Sequence, residues 1–462
     1  MYYRRTLLAT TIAGAIALGA SPMAMADTSD DIISVLIGKG ILSAEEGALL
    51  MQNRASERKV AEKAMAEKKA SEVSTTFKDG IAWESGDKAF KMSLNGRVQA
   101  DYRSFSNPDA QNADTFDLRR IYFGAKGTFY DTVDFMVNAN FADSPQLLDA
   151  WLNLRYWDKA QLKIGQYKMP IGLEELTSSR FINFQERSLA MNLVPSYDRG
   201  IQLHGEPTKG TTYAVAISNG NLGANTLQNK TEPDKANDGK DVTGRFTANI
   251  AELIGIKDTV IHLGTAFSRG EVDGGDGTVK LRTEGRGATF LETNVFKKGD
   301  KIKTDRNALE LSLSSGPVKF TSEYVNIGYD GKINGVDGNR EIDSWYAAVN
   351  WNITGESYAP TYKGGKFGSR LKPKKNFRPG SGGWGAWEAG LRYSELDGSD
   401  FAGQVKAASS ATKASAWTAG LKWIVNPHTR FLLNYVSTDF DGVKVGGEDS
   451  EKAITLRGQF DF

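Results

Sequence analysis

Apolar and polar side chains alternate with a period of two from about residue 89 to the end of the chain. In AFKMSLNGRVQADYR (89–103), Phe90, Leu94 and Val98 belong to the apolar set, and the residues between them are mostly polar or charged. This period is that of a β-strand, whose successive side chains point to opposite faces of a sheet. About sixteen such segments follow one another, with centres near residues 96, 123, 137, 152, 164, 202, 214, 245, 263, 310, 322, 347, 390, 419, 433 and 456.

The connections between these segments alternate in length. Tight turns are predicted at YDT (130–132), EPTKG (206–210), SSGP (314–317) and NPHT (426–429). Long segments rich in Gly, Asp and Asn occupy roughly 104–115, 168–197, 220–239, 270–304, 329–340, 397–413 and 440–449. Short turns on one side and long loops on the other are the layout of an outer-membrane β-barrel.

Apolar and polar residues also alternate in the strands of soluble β-sandwiches and β-propellers. The positions of the aromatic residues are therefore needed to distinguish these folds from a membrane barrel. Several lie at strand ends on the apolar face: Tyr102, Trp345, Trp351, Trp387, Tyr393, Trp417 and Trp423. Such a distribution is typical of aromatic girdles at the two membrane interfaces. The last strand, ITLRGQFDF (454–462), alternates as far as Phe462 and would close on the first strand, leaving no edge open to lipid. The sequence therefore predicts an all-β fold, a transmembrane antiparallel 16-stranded β-barrel, preceded by a short N-terminal helical or coiled-coil segment.

The first residues resemble an export signal. Arg4 and Arg5 precede an apolar run too short to span a membrane, and Ala24-Met25-Ala26 forms a small-x-small cleavage pattern. The alternative is a buried N-terminal helix. Residues 1–26 are thus predicted to be a signal peptide for export, and together with the predicted barrel they indicate a location in the Gram-negative outer membrane. Removing its two arginines from the 57 basic residues leaves 55 against 56 acidic ones, so net charge does not indicate a partner.

Residues 27–80 differ from the rest, because they are rich in Ala, Glu and Lys and poor in Pro and Gly after residue 47. Ser43 and Glu46 have the spacing of a helix capping box. We expect one or two helices with coiled-coil character that oligomerise; the alternative is a solvated linker helix. The predicted divisions are therefore a signal peptide at 1–26, a helical segment at 27–80 and a barrel domain at 85–462.

Strand parity assigns charges to the lumen. The basic residues on the polar face are Lys91, Arg97, Arg103, Arg120, Lys126, Arg155, Lys163, Arg245, Lys319, Arg392, Lys422, Arg430 and Arg457, and the acidic ones are Asp101, Asp134, Asp149, Glu310, Glu323, Glu388 and Asp461. This basic surplus in a nearly neutral protein favours an anion pathway. The alternative is that these charges pair and only solvate an unselective channel.

Several stretches resemble the phosphate- and polyphosphate-selective porin family of Gram-negative outer membranes. They are FDLRRIYFGAKGTFYD (116–131), LKIGQYKMPIGLEELTSSRF (162–181), TGESY (354–358), KFGSRLKPKKNF (366–377), GGWGAWEAGLRYSELD (382–397) and WIVNPHTRFLLNYV (423–436). The resemblance implies a homotrimer of sixteen-stranded barrels embedded in outer-membrane lipid. It also implies a third external loop folded into each pore, and conduction of small anions, phosphate or other oxyanions, past basic residues.

The candidate anion-pathway residues follow from this resemblance and from parity. Positions that match the family's basic residues are Arg97, Arg120, Lys168 and Arg180; the 168–197 loop adds Arg187, and the eighth strand adds Arg245. Arg119 also belongs to the motif, although parity directs it towards lipid unless it lies at the rim of the barrel. The family's mid-chain arginine ladder is reduced here to Arg245, while Arg282 and Arg286 fall in a loop region that cannot be placed. The sequence thus predicts anion preference and leaves the solute open.

Three alternatives compete with this hypothesis. A cation- or sugar-selective or general porin would use Asp101, Asp134 and Asp149, and a structural role would use the helical segment as a cell-wall tether. An outer-membrane enzyme is disfavoured, because none of the three histidines lies beside a serine in a recognisable motif. No cofactor, metal site or nucleic-acid partner is predicted.

The segment GESYAPTYKGGKFGSRLKPKKNFRPGSGG (355–383) is strongly basic. The strand count assigns it to the short-turn side of the barrel. It is predicted to be either an anion funnel or a solvated loop packed under the barrel.

Overall fold

The computed structural model describes residues 24–77, 80–106, 113–220, 239–275, 277–333, 335–407 and 410–462. The predicted signal peptide lies outside the described residues except for its last three, and so does most of the 220–239 loop. The chain forms two compact units, one ending at Glu72 and the other comprising Val73–Phe462.

The first unit contains two helices, α1 (Ala24–Gly38) and α2 (Ala44–Ser71). The capping box predicted at the start of α2 is confirmed. The backbone N–H of Glu46 donates to Ser43 Oγ (3.2 Å), and the N–H of Ser43 donates to Glu46 Oε2 (2.9 Å). The reciprocal pair satisfies two amide groups that the first helical turn leaves free. Among the described helices, none is both long enough and apolar enough to cross a membrane.

The second unit contains a closed antiparallel barrel of sixteen strands, which confirms the predicted fold class. Each of the sixteen predicted segment centres falls within one strand. The strands are β1 (Phe90–Phe105), β2 (Thr115–Phe129), β3 (Val133–Asn140), β4 (Gln146–Leu154), β5 (Gln161–Lys168), β6 (Tyr197–Gly205), β7 (Thr211–Ser218), β8 (Asp241–Asn249), β9 (Thr259–Asp273), β10 (Lys301–Ser315), β11 (Val318–Ile333), β12 (Val336–Asn352), β13 (Ala386–Asp397), β14 (Lys413–Asn426), β15 (Thr429–Phe440) and β16 (Ser450–Asp461).

The barrel closes where β16 pairs with β1, from Ala453 opposite Phe105 to Asp461 opposite Arg97. Phe462 extends the ladder, because it exchanges backbone hydrogen bonds with Gly96 (3.0 and 3.1 Å). A short hairpin formed by Val73–Thr76 and Ala82–Ser85 extends the sheet, because its second strand pairs with the start of β1. The terminal strand thus spans the membrane with both of its edges paired.

Alternation separates a lipid-facing surface from a polar interior. On β1, Val98 is 41% exposed, whereas the adjacent Gln99 is fully buried. The outward aromatic residues pack in rows, with Trp387 on Trp423 (5.4 Å between ring centroids) and Tyr393 on Trp417 (4.9 Å). These rows form interface girdles of the kind found in outer-membrane barrels.

One predicted loop is wrong. The 329–340 segment was expected to be a long loop because of its Gly, Asp and Asn content. Instead, β11 and β12 pair as far as Ile333 and Val336, leaving only residues 334–335 between them. Inward residues of this extension, including Tyr329, are buried inside the barrel, so packing overrides local composition.

Part of the barrel interior is apolar. The 169–196 loop, which includes a helical turn at Leu173–Leu176, packs Ile171, Leu189 and Val194 in full burial inside the second unit. Phe290 and Leu291 from the 274–300 loop join the same cluster. Two loops from the long-loop side therefore fill part of the space that strand parity alone would leave to water.

Candidate functional site

A cavity of about 2440 Å³ lies inside the barrel. Its wall is formed mainly by the inward residues of β1–β8, together with the 169–196, 274–300 and 353–385 loops. Among the described lining residues, only Asp273, at the end of β9, comes from β9–β16. The reason is that the 169–196 loop occupies the other half of the interior.

Hydrogen bonds hold the 169–196 loop against that half. Glu323 on β11 accepts from the backbone N–H groups of Leu173 (2.6 Å) and Glu174 (2.8 Å), the start of the helical turn. From the last two strands, Arg430 donates to the carbonyl of Arg180 (2.6 Å) and Arg457 to that of Gln185 (2.5 Å). The charged arginine donors make their contacts strong in a low-dielectric interior, so the loop has a defined position.

The 353–385 loop enters the barrel from the opposite, short-turn side. Its hairpin at Tyr362–Phe367 reaches the strand wall, where the Tyr362 hydroxyl contacts His262 Nδ1 (2.7 Å). Arg245 donates to the carbonyl of Gly365 (2.8 Å), and Lys366 lines the cavity. Two loops from opposite ends thus border one water-accessible space.

All seven candidate residues predicted from the sequence line this cavity: Arg97, Arg119, Arg120, Lys168, Arg180, Arg187 and Arg245. Their surroundings differ. Arg97 donates to Ser179 Oγ (2.8 Å) and lies 4.0 Å over the Tyr122 ring. Arg180 donates to Asn95 Oδ1 (3.1 Å). Among the described residues, neither guanidinium has a carboxylate within 4.0 Å, so both keep their positive charge available to the cavity.

Lys168 and Arg187 share one acid. Lys168 Nζ lies 2.6 Å from Glu175 Oε1, and Arg187 Nε lies 3.1 Å from Glu175 Oε2. Burial alone would raise the pKa of Glu175, but Arg187 and Lys168 outweigh it, so the pKa is lowered and the carboxylate stays ionised. One of the two basic charges is therefore neutralised locally.

Arg245 is also neutralised. It forms a bidentate pair with Glu310 on β10, at 2.9 and 2.6 Å, and both side chains are buried. Its third contact is the carbonyl of Gly365. The geometry makes Arg245 a connection between the strand wall and the 353–385 loop.

The orientation predicted for Arg119 is wrong. Parity directs it towards lipid, but the register between β1 and β2 shifts by one residue at this point. Gln99 pairs with Arg120, whereas the next residue, Ala100, pairs with Leu118. Arg119 is the extra residue of this bulge, and a bulge re-aims its side chain. Arg119 and Arg120 both line the cavity, and Arg119 makes a two-pronged contact with Glu186 (2.9 and 3.3 Å).

Other cavity-lining cations were not among the candidate residues. Parity had assigned Lys126 and Lys163 to the polar face, but no family position singled them out. Lys366 was part of the basic 355–383 segment, whereas Arg282 and Arg286 lie in a loop whose path only the tertiary structure reveals. Inward parity is the sequence signal for the first two, whereas the absence of a nearby acid is visible only in the tertiary structure.

The cavity lining is strongly basic. Among the described residues that line it, eighteen are Lys or Arg and seven are Asp or Glu. Away from the cavity, basic residues pair within the wall, as in Lys422–Glu388 (2.8 Å) and Arg457–Asp101 (2.7 Å). The charge surplus is therefore concentrated where water has access. Within the described residues, no group of three His, Asp or Glu side chains could hold a metal ion.

A closed sixteen-stranded barrel with a charged internal cavity and an aromatic-girdled outer face is the architecture of an outer-membrane porin, a channel and not an enzyme. The family described as "Phosphate-selective porin O and P" matches residues 92–462, and the chain belongs to that family. It is 24% identical over 415 residues to Porin O of Pseudomonas aeruginosa, covering 83% of this chain and 91% of that protein. It is also 26% identical over 382 residues to an uncharacterized protein of Caulobacter vibrioides, covering 79% and 72% of the two chains.

Solved structures agree with the fold. OprB of Pseudomonas putida superposes with a TM-score of 0.52 at 10% identity, covering 84% of this chain and all of that one. The outer-membrane channel DcaP of Acinetobacter baumannii superposes with a TM-score of 0.51 at 12% identity, covering 81% and 98%. At these identities the likeness concerns the fold alone.

Proposed function

We propose that this porin gives passive, anion-preferring diffusion of phosphate or related oxyanions. The observation that carries this proposal is the lining of the cavity, with eighteen basic and seven acidic residues among those described. A cleft lined by one sign of charge, with low-dielectric walls, concentrates the opposite ion and raises its entry rate. A general or cation-selective porin would instead need the acids of the lining to balance the bases.

Basic residues without an acidic partner support a path along which an anion moves from one site to the next. Several lining cations have no carboxylate within 4.0 Å among the described residues, including Arg97, Lys126, Lys163, Arg180 and Lys366. Arg97 belongs to β1, Lys126 and Lys163 lie towards the short-turn ends of β2 and β5, and the remaining two belong to loops that enter from opposite sides. Several weak sites in series allow an anion to enter and leave, which conduction requires.

The chemistry of these groups suits oxyanions. Arginine presents a planar fork of donors that matches phosphate or carboxylate oxygens, and lysine adds a compact charge. The family description agrees with this choice of solute class. In this proposal the 169–196 loop narrows the pore, and the seven candidate residues form part of the anion pathway.

The test is the reversal potential across a planar bilayer in a KCl gradient, repeated with phosphate on both sides. The proposal expects a potential close to the chloride equilibrium value and a chloride current that phosphate reduces. A potential near zero, or of cation-selective sign, would contradict it. Current that phosphate leaves unchanged would contradict the oxyanion part alone.

We also propose that the protein is a homotrimer whose helical segment contributes to assembly. In support, α2 leaves apolar side chains in water, with Leu49 63% and Val60 69% exposed. The division into a helical segment at 27–80 and a barrel at 85–462 remains part of this proposal. Cross-linking and light scattering of the full chain, compared with a chain lacking residues 27–72, test this proposal. A trimer that persists without those residues would show that they are not needed for assembly.

A further inference from the structure

Five guanidinium groups surround one carboxylate inside the barrel. Glu186, in the 169–196 loop, has a side chain that lies within 4.0 Å of arginines from β1, β2, β16 and the 274–300 loop. The distances to its oxygens are 2.8 Å for Arg457, 2.9 Å for Arg119, 3.6 Å for Arg120, 3.7 Å for Arg103 and 3.8 Å for Arg286. Like charges at such spacing repel, so the cluster requires an anion at its centre.

The acids of this cluster do not balance its bases. Asp101 and Asp117 pair with Arg103, and Asp101 also pairs with Arg457. With Glu186, three carboxylates therefore face the five arginines. Among the described residues, Glu186 is the only carboxylate within 4.0 Å of Arg119, Arg120 and Arg286. These three arginines thus depend on the Glu186 side chain for their counter-charge.

The Glu186 backbone is held separately from its side chain. Arg457 donates to the carbonyl of Gln185 (2.5 Å), and Arg392 on β13 donates to that of Glu186 (3.1 Å). The carboxylate is therefore an anion on a short tether, at the end of rotatable bonds. Glu186, Arg119, Arg120 and Arg286 all line the cavity, so a permeating ion has access to them.

We propose that the Glu186 carboxylate occupies an oxyanion-binding site formed by Arg119, Arg120 and Arg286, and that a permeating oxyanion enters this site by displacing it. The inference rests on the proposed anion pathway and deepens it. Carboxylate and phosphate oxygens accept from the same donor fork, so exchange of one for the other keeps the guanidinium hydrogen bonds satisfied.

Displacement explains how a strongly basic cluster remains permeable. Without a competitor, converging arginines would hold a phosphate too tightly for rapid release, whereas conduction requires binding weak enough to permit exit. The tethered carboxylate lowers the net gain on binding and re-enters as the ion leaves. Because the bases outnumber the acids by two even with Glu186 in place, a divalent oxyanion fits the site better than chloride does.

The experiment compares wild-type protein with Glu186→Gln in bilayers, measuring the phosphate concentration that halves the chloride current. Removing the competitor should lower that concentration by about tenfold, since charge-assisted contacts then go to the ion alone. Glu206→Gln is the matched control. Glu206 lines the same cavity, and its carboxylate accepts from the N–H of Gly210 in the β6–β7 turn, away from the arginine cluster. The control also removes one negative charge from the lining, but outside the cluster, so it should lower the half-blocking concentration by less than about twofold.

Glu186→Asp adds a second variant that keeps the charge but shortens the tether by one methylene. An intermediate half-blocking concentration supports competition. Equal half-blocking concentrations in Glu186→Gln and Glu206→Gln would overturn the inference, as would a higher value in Glu186→Gln. Only inserted, folded channels contribute to the current, so misfolding does not imitate these outcomes. A wild-type channel without anion preference would instead refute the proposed function.

Discussion

At the scale of single residues, the distance to the nearest carboxylate decides what a basic side chain can contribute. Arg97 and Arg245 are both inward arginines that line the cavity. Arg97 contacts a hydroxyl and an aromatic ring, so its charge acts on the cavity. Arg245 is held by Glu310 in a bidentate pair, so its charge mainly stabilises the fold. We therefore expect different consequences when each arginine is replaced by a neutral residue.

Arg97→Gln should lower the ratio of chloride to potassium permeability by roughly twofold, because it removes an uncompensated charge from the cavity wall. The measurement is the reversal potential in a KCl gradient. Arg269→Gln is the control, since Arg269 pairs with Asp305 (2.7 Å) and is not part of the described cavity lining. An equal effect of both substitutions would refute the assignment.

Arg245→Gln should destabilise the barrel by about 3–5 kcal/mol, because it leaves Glu310 buried and without its strongest partner. The urea concentration that unfolds half of the detergent-solubilised protein measures this loss. The double variant Arg245→Gln/Glu310→Gln should recover much of the stability, since it removes both charges. If the double variant is no more stable than the single one, the ion pair is not the cause.

At the scale of elements, two loops define the cavity from opposite ends. The 169–196 loop is held by side chains of β11, β15 and β16, and most of the strand wall left to the open space belongs to β1–β8. The hairpin of the 353–385 loop is held by His262 and Arg245. Each loop is fixed by the strand wall, so shortening a loop should change the pore without opening the barrel.

Deleting residues 363–366 should increase single-channel conductance, because it withdraws the tip of the hairpin from the cavity. Conductance in symmetric KCl is the measurement. Deleting residues 380–382, an exposed part of the same loop, is the control and should leave conductance near the wild-type value. Similar conductance in both deletion variants would mean that the hairpin does not restrict the pore.

Anion preference should weaken at alkaline pH, in part through Lys366. Burial lowers the pKa of this lysine, and the positive charge of Arg245 lowers it further. Lys366 therefore loses its charge at a lower pH than a solvent-exposed lysine does, and the cavity becomes less basic as pH rises. Reversal potentials measured between neutral and alkaline pH should drift towards zero. In Lys366→Arg the drift of the reversal potential should shrink, since arginine stays protonated. An unchanged drift would mean that other groups cause the loss of anion preference.

At the scale of the whole molecule, closure of β16 on β1 leaves no strand edge in the membrane. The last contact is between Phe462 and Gly96, whose backbones exchange two hydrogen bonds. A side chain at position 96 would collide with the Phe462 ring, since a Cβ there would lie 2.5 Å from two ring atoms. The missing side chain of Gly96 is therefore a condition for the terminal residue to seal the barrel.

Gly96→Val should impair closure and lower the yield of folded barrel. Migration on SDS gels with and without heating measures it, because closed barrels resist unfolding in unheated detergent. Gly458→Val is the control: the nearest atom to a Cβ at that position is on the Phe431 ring at 3.6 Å, an ordinary contact distance. A Gly96→Val protein that migrates like wild type would show that Phe462 can move aside.

The sequence was sufficient to predict what depends on local periodicity. Alternation predicted the strand number and which residues face inward, and the Ser43–Glu46 spacing predicted a helix cap. The motif around Arg97, Arg120, Lys168 and Arg180 identified side chains that line one cavity. These properties follow from side-chain spacing along one strand or one helical turn, which a linear sequence contains.

Only the tertiary structure decided which charges remain unpaired. Arg119 turns inward because of a bulge defined by the partner strand, and Arg245 is neutralised by an acid 65 positions away. Glu186 meets five arginines because a loop folds back across the barrel. Charge compensation depends on distances between segments remote in sequence, so alternation alone determined the barrel and its polar interior, while loop packing determined where its electrostatic surplus lies.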